Sequence, residues 1–294
     1  MEADLDVTTR WIMLLVIMLA AGLSGCSMTD DYKATLEVSV MGEGTTTPAK
    51  GTSHFVPDTL VELQASPAAG WVFSHWQGEV ADPKSPHTSI VVGEQAAATA
   101  VFVPRGTILE APGGLIYSRT DGSQVTARPG GTKDIEYIMV HAMSDAAANP
   151  ADPYRIDRIR TIFHDYAVES HYVIDRLGRI YQFVEDGLVA RHAGRGAWGE
   201  DPRLTDNMNR YAVGIELLGI GTDAEMIPVI GADSNSAINP SDRGYTEEQY
   251  NALRQLIGLL QERYSIPREN IIGHRDYAPT RKWDPGVLFD WSRL

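Results

Sequence analysis

The chain has 294 residues, 43% of them hydrophobic and 22% charged, with a formal net charge of −14. That length suits roughly two domains, and the composition suits a globular protein rather than a disordered one. So acidic a chain repels phosphate backbones, which argues against nucleic acid as a partner, and it equally disfavours a polybasic membrane contact.

The first element is the segment WIMLLVIMLAAGLSGC (11–26), a short apolar run behind Arg10 that ends in small residues. It is too short and too poorly flanked for a spanning helix and reads as a secretory signal. Cys26 is the only cysteine, so an internal disulfide and a multi-cysteine zinc site are both excluded. Leu23-Ser24-Gly25-Cys26 resembles the bacterial lipobox. That resemblance implies a lipidated Cys26, multiply acylated because one acyl chain anchors weakly. Ser27 after it, rather than Asp, implies sorting to the outer membrane, facing the periplasm, if the cell has one. Residues 1–26 are thus expected to be the signal peptide and 27–33 a polar tether.

From residue 34 to 104 the chain has strand character. Apolar and polar residues alternate in TLEVSV (35–40), LVELQA (60–65) and AATAVFV (97–103), with Gly and Pro as turn punctuation. A small all-β module is expected, similar to the divergent InlB-type B-repeat on the pattern of its glycines, prolines and aromatics. Trp71, Phe73 and Trp76 suit either a carbohydrate platform or core packing, and the frequent burial of such residues favours the core.

Residues 105–294 alternate strand-like and helix-like runs, the pattern of an α/β domain with a mixed central sheet flanked by helices. IEYIMVHAM (135–143) and AVGIELLG (212–219) read as buried strands, YVID (172–175) and RIYQFV (179–184) as shorter ones joined by a turn at Gly178. Ile156, Ile159, Ile162 and Phe163 recur at helical spacing, and TEEQYNALRQLIGLLQERY (246–264) is the clearest amphipathic helix, opened by Thr246 with Gln249 nearby. The segment 220–244 is expected to be a long polar loop, and Pro279 and Pro285 argue against a helix in GHRDYAPTRKWDPG (273–286).

That last segment places His274, Lys282 and Asp284 on one loop. A catalytic zinc takes three protein ligands and leaves one position open, and imidazole and carboxylate both suit it. His141 ends a buried strand and could be a third ligand or, taken alone, a core histidine. Glu216 lies in a nearly continuous apolar strand, where a carboxylate needs a partner or a purpose. Burial would raise its pKa towards the range of a general base, or an arginine could pair with it. Lys282 could meet a developing oxyanion or sit on the surface.

IMVHAMS (138–144), SHYVIDRLGRIYQFV (170–184), RHAGRGAW (191–198), NRYAVGIELLG (209–219) and the 273–286 segment together resemble the amidase-2 type of N-acetylmuramoyl-L-alanine amidase, relatives of the peptidoglycan recognition proteins. With the lipobox, the chain resembles an AmiD-like lipoprotein. The resemblance implies that His141, His274 and Asp284 hold Zn2+, that Glu216 takes a proton from the attacking water, and that Lys282 stabilises the oxyanion. Peptidoglycan or muropeptides would be the substrate, cut between N-acetylmuramic acid and L-alanine, and the protein would act as a monomer. His192 matches a position lining the substrate groove and would contact substrate or brace a ligand. His171 and Trp198 match positions near the groove and would contact substrate or support the site. Where many relatives carry a threonine within two residues of the first ligand, this chain has Ala142-Met143-Ser144. The alternative is a non-catalytic peptidoglycan-binding protein of the same fold.

Overall fold

The structure, a computed structural model, describes residues 34–294. Cys26 and the signal segment lie outside the described residues.

Seven strands build the first part: β1 (Ala34–Met41), β2 (Gly44–Thr47), β3 (Gly51–Phe55), β4 (Thr59–Pro67), β5 (Trp71–Gln77), β6 (His87–Val92) and β7 (Gln95–Pro104). They form two sheets, ordered β3-β1-β7-β5 and β2-β4-β6. Alternation explains the packing, because residues two apart share a face. Leu36 and Val38 of β1, Val61 and Leu63 of β4 and Ala98 and Ala100 of β7 enclose one core with Phe73, Trp76 and Phe102. Trp76 and Phe73 are buried in this core and Trp71 packs half-buried against it, which is the packing role expected of them.

The second part begins with β8 (Ile108–Glu110) and β9 (Tyr137–Met143) and continues through α1 (Ile156–Tyr166), β10 (Tyr172–Ile174) and β11 (Ile180–Gln182). There follow α2 (Met208–Tyr211), β12 (Ala212–Leu218), α3 (Asp223–Ile230), α4 (Ala232–Ser236), α5 (Glu247–Tyr264), β13 (Ile271–Gly273) and α6 (His274–Tyr277). The sheet runs β13-β9-β12-β10-β11-β8. β13, β9, β12 and β10 are mutually parallel, and β11 is antiparallel to β10. This is the mixed sheet flanked by helices that the sequence predicts.

One face of the sheet carries Ile138, Val140, Val213, Ile215 and Leu217, packed against Leu253, Leu256, Ile257 and Leu260 of α5. The helix starts where Thr246 and Gln249 form a capping box. Gln249 is wholly buried, and its Nε2 donates to the carbonyls of Ile174 and Leu218 at 3.2 and 3.0 Å. Period two then puts His141 and Glu216 on the opposite face, and the parallel register sets them side by side.

Two expectations are corrected. The segment 220–244 folds into α3 and α4 instead of a long loop, with Thr222 and Glu225 forming a capping box ahead of apolar Met226. The 273–286 segment does contain a helical turn, α6, which ends at Tyr277 before Pro279 can interrupt it.

The two parts are joined by more than their connecting chain. Arg179 is buried against Asp175, and its Nη1 donates to the carbonyls of Ser74 and Lys84 in the β module at 3.1 and 2.7 Å. Removing the guanidinium strands a buried carboxylate, which costs about 3–5 kcal/mol. Arg179→Ala is therefore expected to lower the melting temperature and to speed proteolysis between residues 104 and 108; an unchanged melting curve would contradict this.

A second buried carboxylate gives a pH dependence. Tyr172 and Tyr264 donate to Asp186 at 2.7 and 2.6 Å. Burial, with Asp186 beside it, pushes Tyr264 up to about 12, and the same causes raise Tyr172. The native state thus prefers the protonated phenols. This stability is present below the ordinary tyrosine value of about 10 and is lost as pH rises through the raised one. Chemical denaturation between pH 9 and 12 is expected to show that loss, and Tyr264→Phe is expected to make it shallower.

Candidate active site

The site grows from three strand ends. His141 lies near the end of β9 and Glu216 near the end of β12, and His274 follows β13 directly. The loop after α6 folds back because the Arg275 N–H donates to the Asp284 carbonyl at 2.7 Å and the Lys282 N–H to that of Ala278 at 2.9 Å. That return brings Asp284 Oδ2 against both histidines.

The atoms that converge are His141 Nδ1, His274 Nδ1 and Asp284 Oδ2. His141 Nδ1 is 2.9 Å from His274 Nδ1 and 3.1 Å from Asp284 Oδ2, and His274 Nδ1 is 3.0 Å from that same oxygen. All three residues are buried, His141 and His274 each 2% exposed and Asp284 5%.

Hydrogen bonding decides what these atoms are. His274 Nε2 donates to the Ala193 carbonyl at 2.7 Å, and a carbonyl only accepts, so a neutral His274 presents a bare Nδ1. Burial, together with the neighbouring His274, lowers His141 to about 4 and keeps it neutral. Asp284, as a carboxylate, offers only lone pairs at the Oδ2 that faces both rings. Lone pairs crowded within hydrogen-bond distance repel unless a cation sits among them. Tetrahedral zinc with ligands at about 2.0–2.1 Å separates them by about 3.3 Å, close to the spacing found. The three residues therefore fit a metal ion, and they are a His/Asp group with ligand atoms within 4.8 Å of one another.

A cavity of about 710 Å³ opens on this group, and Glu216 and Lys282 line it. Glu216 is 8% exposed. Burial first, and then the charge of Asp284, push its pKa well above the ordinary carboxylate value, with Lys282 partly opposing them. Its carboxylate has no hydrogen-bond partner among the described residues, so the arginine pairing considered from the sequence is not found. Such a group is available to hold a proton.

The remaining candidates separate. His192 lines the cavity, and its Nδ1 lies 3.0 Å from His141 Nε2. His171 is wholly buried behind it, with ring centroids 5.6 Å apart, and accepts the Gly214 N–H at Nδ1 (3.0 Å). Trp198 is half-buried, packs on a cluster containing Met139, Leu204 and Met208, and is not among the residues that line the cavity. Sequence reasoning assigned nothing to Ala193, Asn209 or Arg128, although all three brace the site. Ala193 acts through its backbone, which no side-chain pattern reveals. Asn209 opens the quoted segment NRYAVG, which was the available signal.

The profile of the N-acetylmuramoyl-L-alanine amidase family matches residues 131–287, and that of the divergent InlB B-repeat domain matches residues 34–106. The chain is similar to the 1,6-anhydro-N-acetylmuramyl-L-alanine amidase AmpD of Haemophilus influenzae, 28% identical over 55% of this chain and 81% of that protein. It is 34% identical to the N-acetylmuramoyl-L-alanine amidase AmiD of Escherichia coli over 44% of each chain. It is 34% identical to the AmpD of Escherichia coli over 43% of this chain and 56% of that one, so it spans about half the length of these two relatives. Among solved structures, one of AmpD aligns with a TM-score of 0.46 at 25% identity, covering 65% of this chain and 96% of that one. Escherichia coli AmiD in complex with anhydro-N-acetylmuramic acid-L-Ala-D-gamma-Glu-L-Lys aligns with a TM-score of 0.41 at 28% identity, covering 54% and 56%. The family profile spans more than half of the chain and includes every residue of the converging group, and the chain belongs to the N-acetylmuramoyl-L-alanine amidase family.

Proposed function

We propose that the protein is a zinc-dependent peptidoglycan amidase that hydrolyses the amide between N-acetylmuramic acid and the L-alanine of the stem peptide in cell-wall turnover. The observation that carries this reading is the convergence of His141 Nδ1, His274 Nδ1 and Asp284 Oδ2 within 2.9–3.1 Å of one another, beside a buried carboxylate, Glu216, with no hydrogen-bond partner among the described residues. His141, His274 and Asp284 would hold the Zn2+. When bound, the metal acts as a Lewis acid that polarises a carbonyl and acidifies water.

The other steps belong to the protein. Glu216 takes the proton of the attacking water, and burial, by raising its pKa, makes it a stronger base than a surface carboxylate. It then carries that proton to the departing amine of L-alanine, so the bond that forms is C–O and the bond that breaks is C–N. Lys282 places positive charge where the carbonyl oxygen becomes negative. A cavity of about 710 Å³ is roomy enough for a muropeptide fragment of small-ligand size.

The full ligand and catalytic set supports an enzyme over the non-catalytic binding reading. Escherichia coli AmiD has been solved with a muramyl peptide described as its substrate, which supports the same substrate class here. The lipobox-like Leu23-Ser24-Gly25-Cys26 supports a lipid anchor at Cys26 and a cell-envelope location, the outer membrane where one exists. In this reading the chain works as a monomer on muropeptides or the peptidoglycan wall.

Mass spectrometry of muropeptides digested by the full chain in detergent tests the activity. The expected product is a stem peptide beginning with L-alanine, lost with chelator and restored by zinc. Glu216→Gln is expected to keep its zinc and lose about 10²–10⁴-fold in kcat. Cleavage at another amide, or a glutamine variant as fast as the wild type, would refute these assignments. In cell fractionation, Cys26→Ala is expected to move the protein out of the membrane pellet; a variant that still pellets would remove the anchor.

A further inference from the structure

The dipeptide His192-Ala193 touches both ligand histidines. The Ala193 carbonyl takes the Nε2–H of His274 at 2.7 Å, while the His192 ring meets Nε2 of His141 at 3.0 Å. The dipeptide is itself pinned, because both of its backbone N–H groups donate to Asn209 Oδ1, at 3.0 and 2.7 Å. Buried Arg128 donates to the carbonyls of Asn209 (3.1 Å) and Ala212 (2.8 Å) and so fixes the strand start beneath.

Tautomers follow from what each partner can do. The other nitrogen of His192, Nε2, faces the Ala212 carbonyl at 3.4 Å. A carbonyl cannot donate, so the proton of a neutral His192 resides on Nε2 and its Nδ1 is bare. A bare Nδ1 can only accept, so His141 donates from its own Nε2. The remaining nitrogen of His141, Nδ1, then points an unshared pair at the converging group. Both ring nitrogens of His192 are spent on protein, and neither is left for substrate. The ring fits here because residue 214 is a glycine: a Cβ at Gly214 would lie 2.6 Å from His192 Cγ.

We propose that His192 is a positioning residue that accepts the Nε2–H of His141 and thereby turns the Nδ1 lone pair of His141 onto the metal. This rests on the reading above that His141, His274 and Asp284 hold zinc. Partners of this kind are worth about 10–100-fold in metal affinity.

The test is zinc affinity of the metal-free full chain, measured by competition with a chromophoric chelator. His192→Phe keeps the ring volume and removes the acceptor, and is expected to bind zinc about 10–100-fold more weakly. His192→Asn returns an oxygen near the position of Nδ1 and is expected to recover most of that loss. Equal affinity of wild type and phenylalanine variant overturns the proposal, as does a rise in KM at unchanged zinc affinity, which would make His192 a substrate contact. If the phenylalanine variant does not fold, long-range proton–nitrogen NMR of 15N-histidine wild type decides. Protons on Nε2 of both His141 and His192 support the relay, and a proton on Nδ1 of His192 overturns it. A wild type that takes up no zinc removes this inference together with the function it rests on. A wild type that binds zinc and cleaves muropeptides, beside a phenylalanine variant of equal affinity, removes this inference alone.

Discussion

Two imidazole nitrogens and a carboxylate oxygen held 2.9–3.1 Å apart in a buried pocket constitute the constraint on which the rest of the structure depends. With the Nε2 proton of His274 committed to a carbonyl, the group has too few hydrogens to join its members. Like-signed lone pairs in a medium of low dielectric repel strongly, and a cation bound among them would relieve that repulsion. Residues far from the cavity act by keeping these atoms close, which is why so many backbone carbonyls and buried polar groups surround them.

The sheet supplies the first part of that work. Alternation sends Ile138 and Val140 of β9 to the α5 face and His141 to the other. The parallel register with β12 puts Glu216 at the level of His141. A slip of one residue would bury the histidine beneath α5 and empty the pocket. The packed apolar face against α5 therefore fixes the chemical face. Among the described residues Glu216 has no ion partner, and its raised pKa reflects the same burial that stabilises the sheet.

Much of this was legible in the residues. Long strands with period-two alternation, the capped amphipathic α5, and a histidine and a glutamate inside apolar strands all carry strong signals, because burial and periodicity act on many side chains at once. The strands β2 (Gly44–Thr47) and β3 (Gly51–Phe55) carry little apolar signal, and β8 and β13 have three residues each, too few for a period to show. α3 was hidden by the polar and glycine-rich run that surrounds it, although Thr222 and Glu225 held its start signal. In the site, the types of the ligand residues were readable and their hydrogen-bond partners were not. Ala193 works through its carbonyl and Gly214 through the absence of a Cβ, and neither contribution leaves a chemical mark in the sequence. His192, left open between substrate contact and ligand brace, has one protein donor and one protein acceptor facing its ring, which favours the brace.

The most direct test of this account is X-ray absorption at the zinc edge on the full chain, purified without added metal and then reconstituted with one equivalent of zinc. The account requires a single site with two imidazole nitrogens and one carboxylate oxygen at about 2.0–2.1 Å, lost when Asp284 is replaced by alanine. A protein that remains folded and takes up no zinc, or a spectrum lacking imidazole ligands, would contradict it.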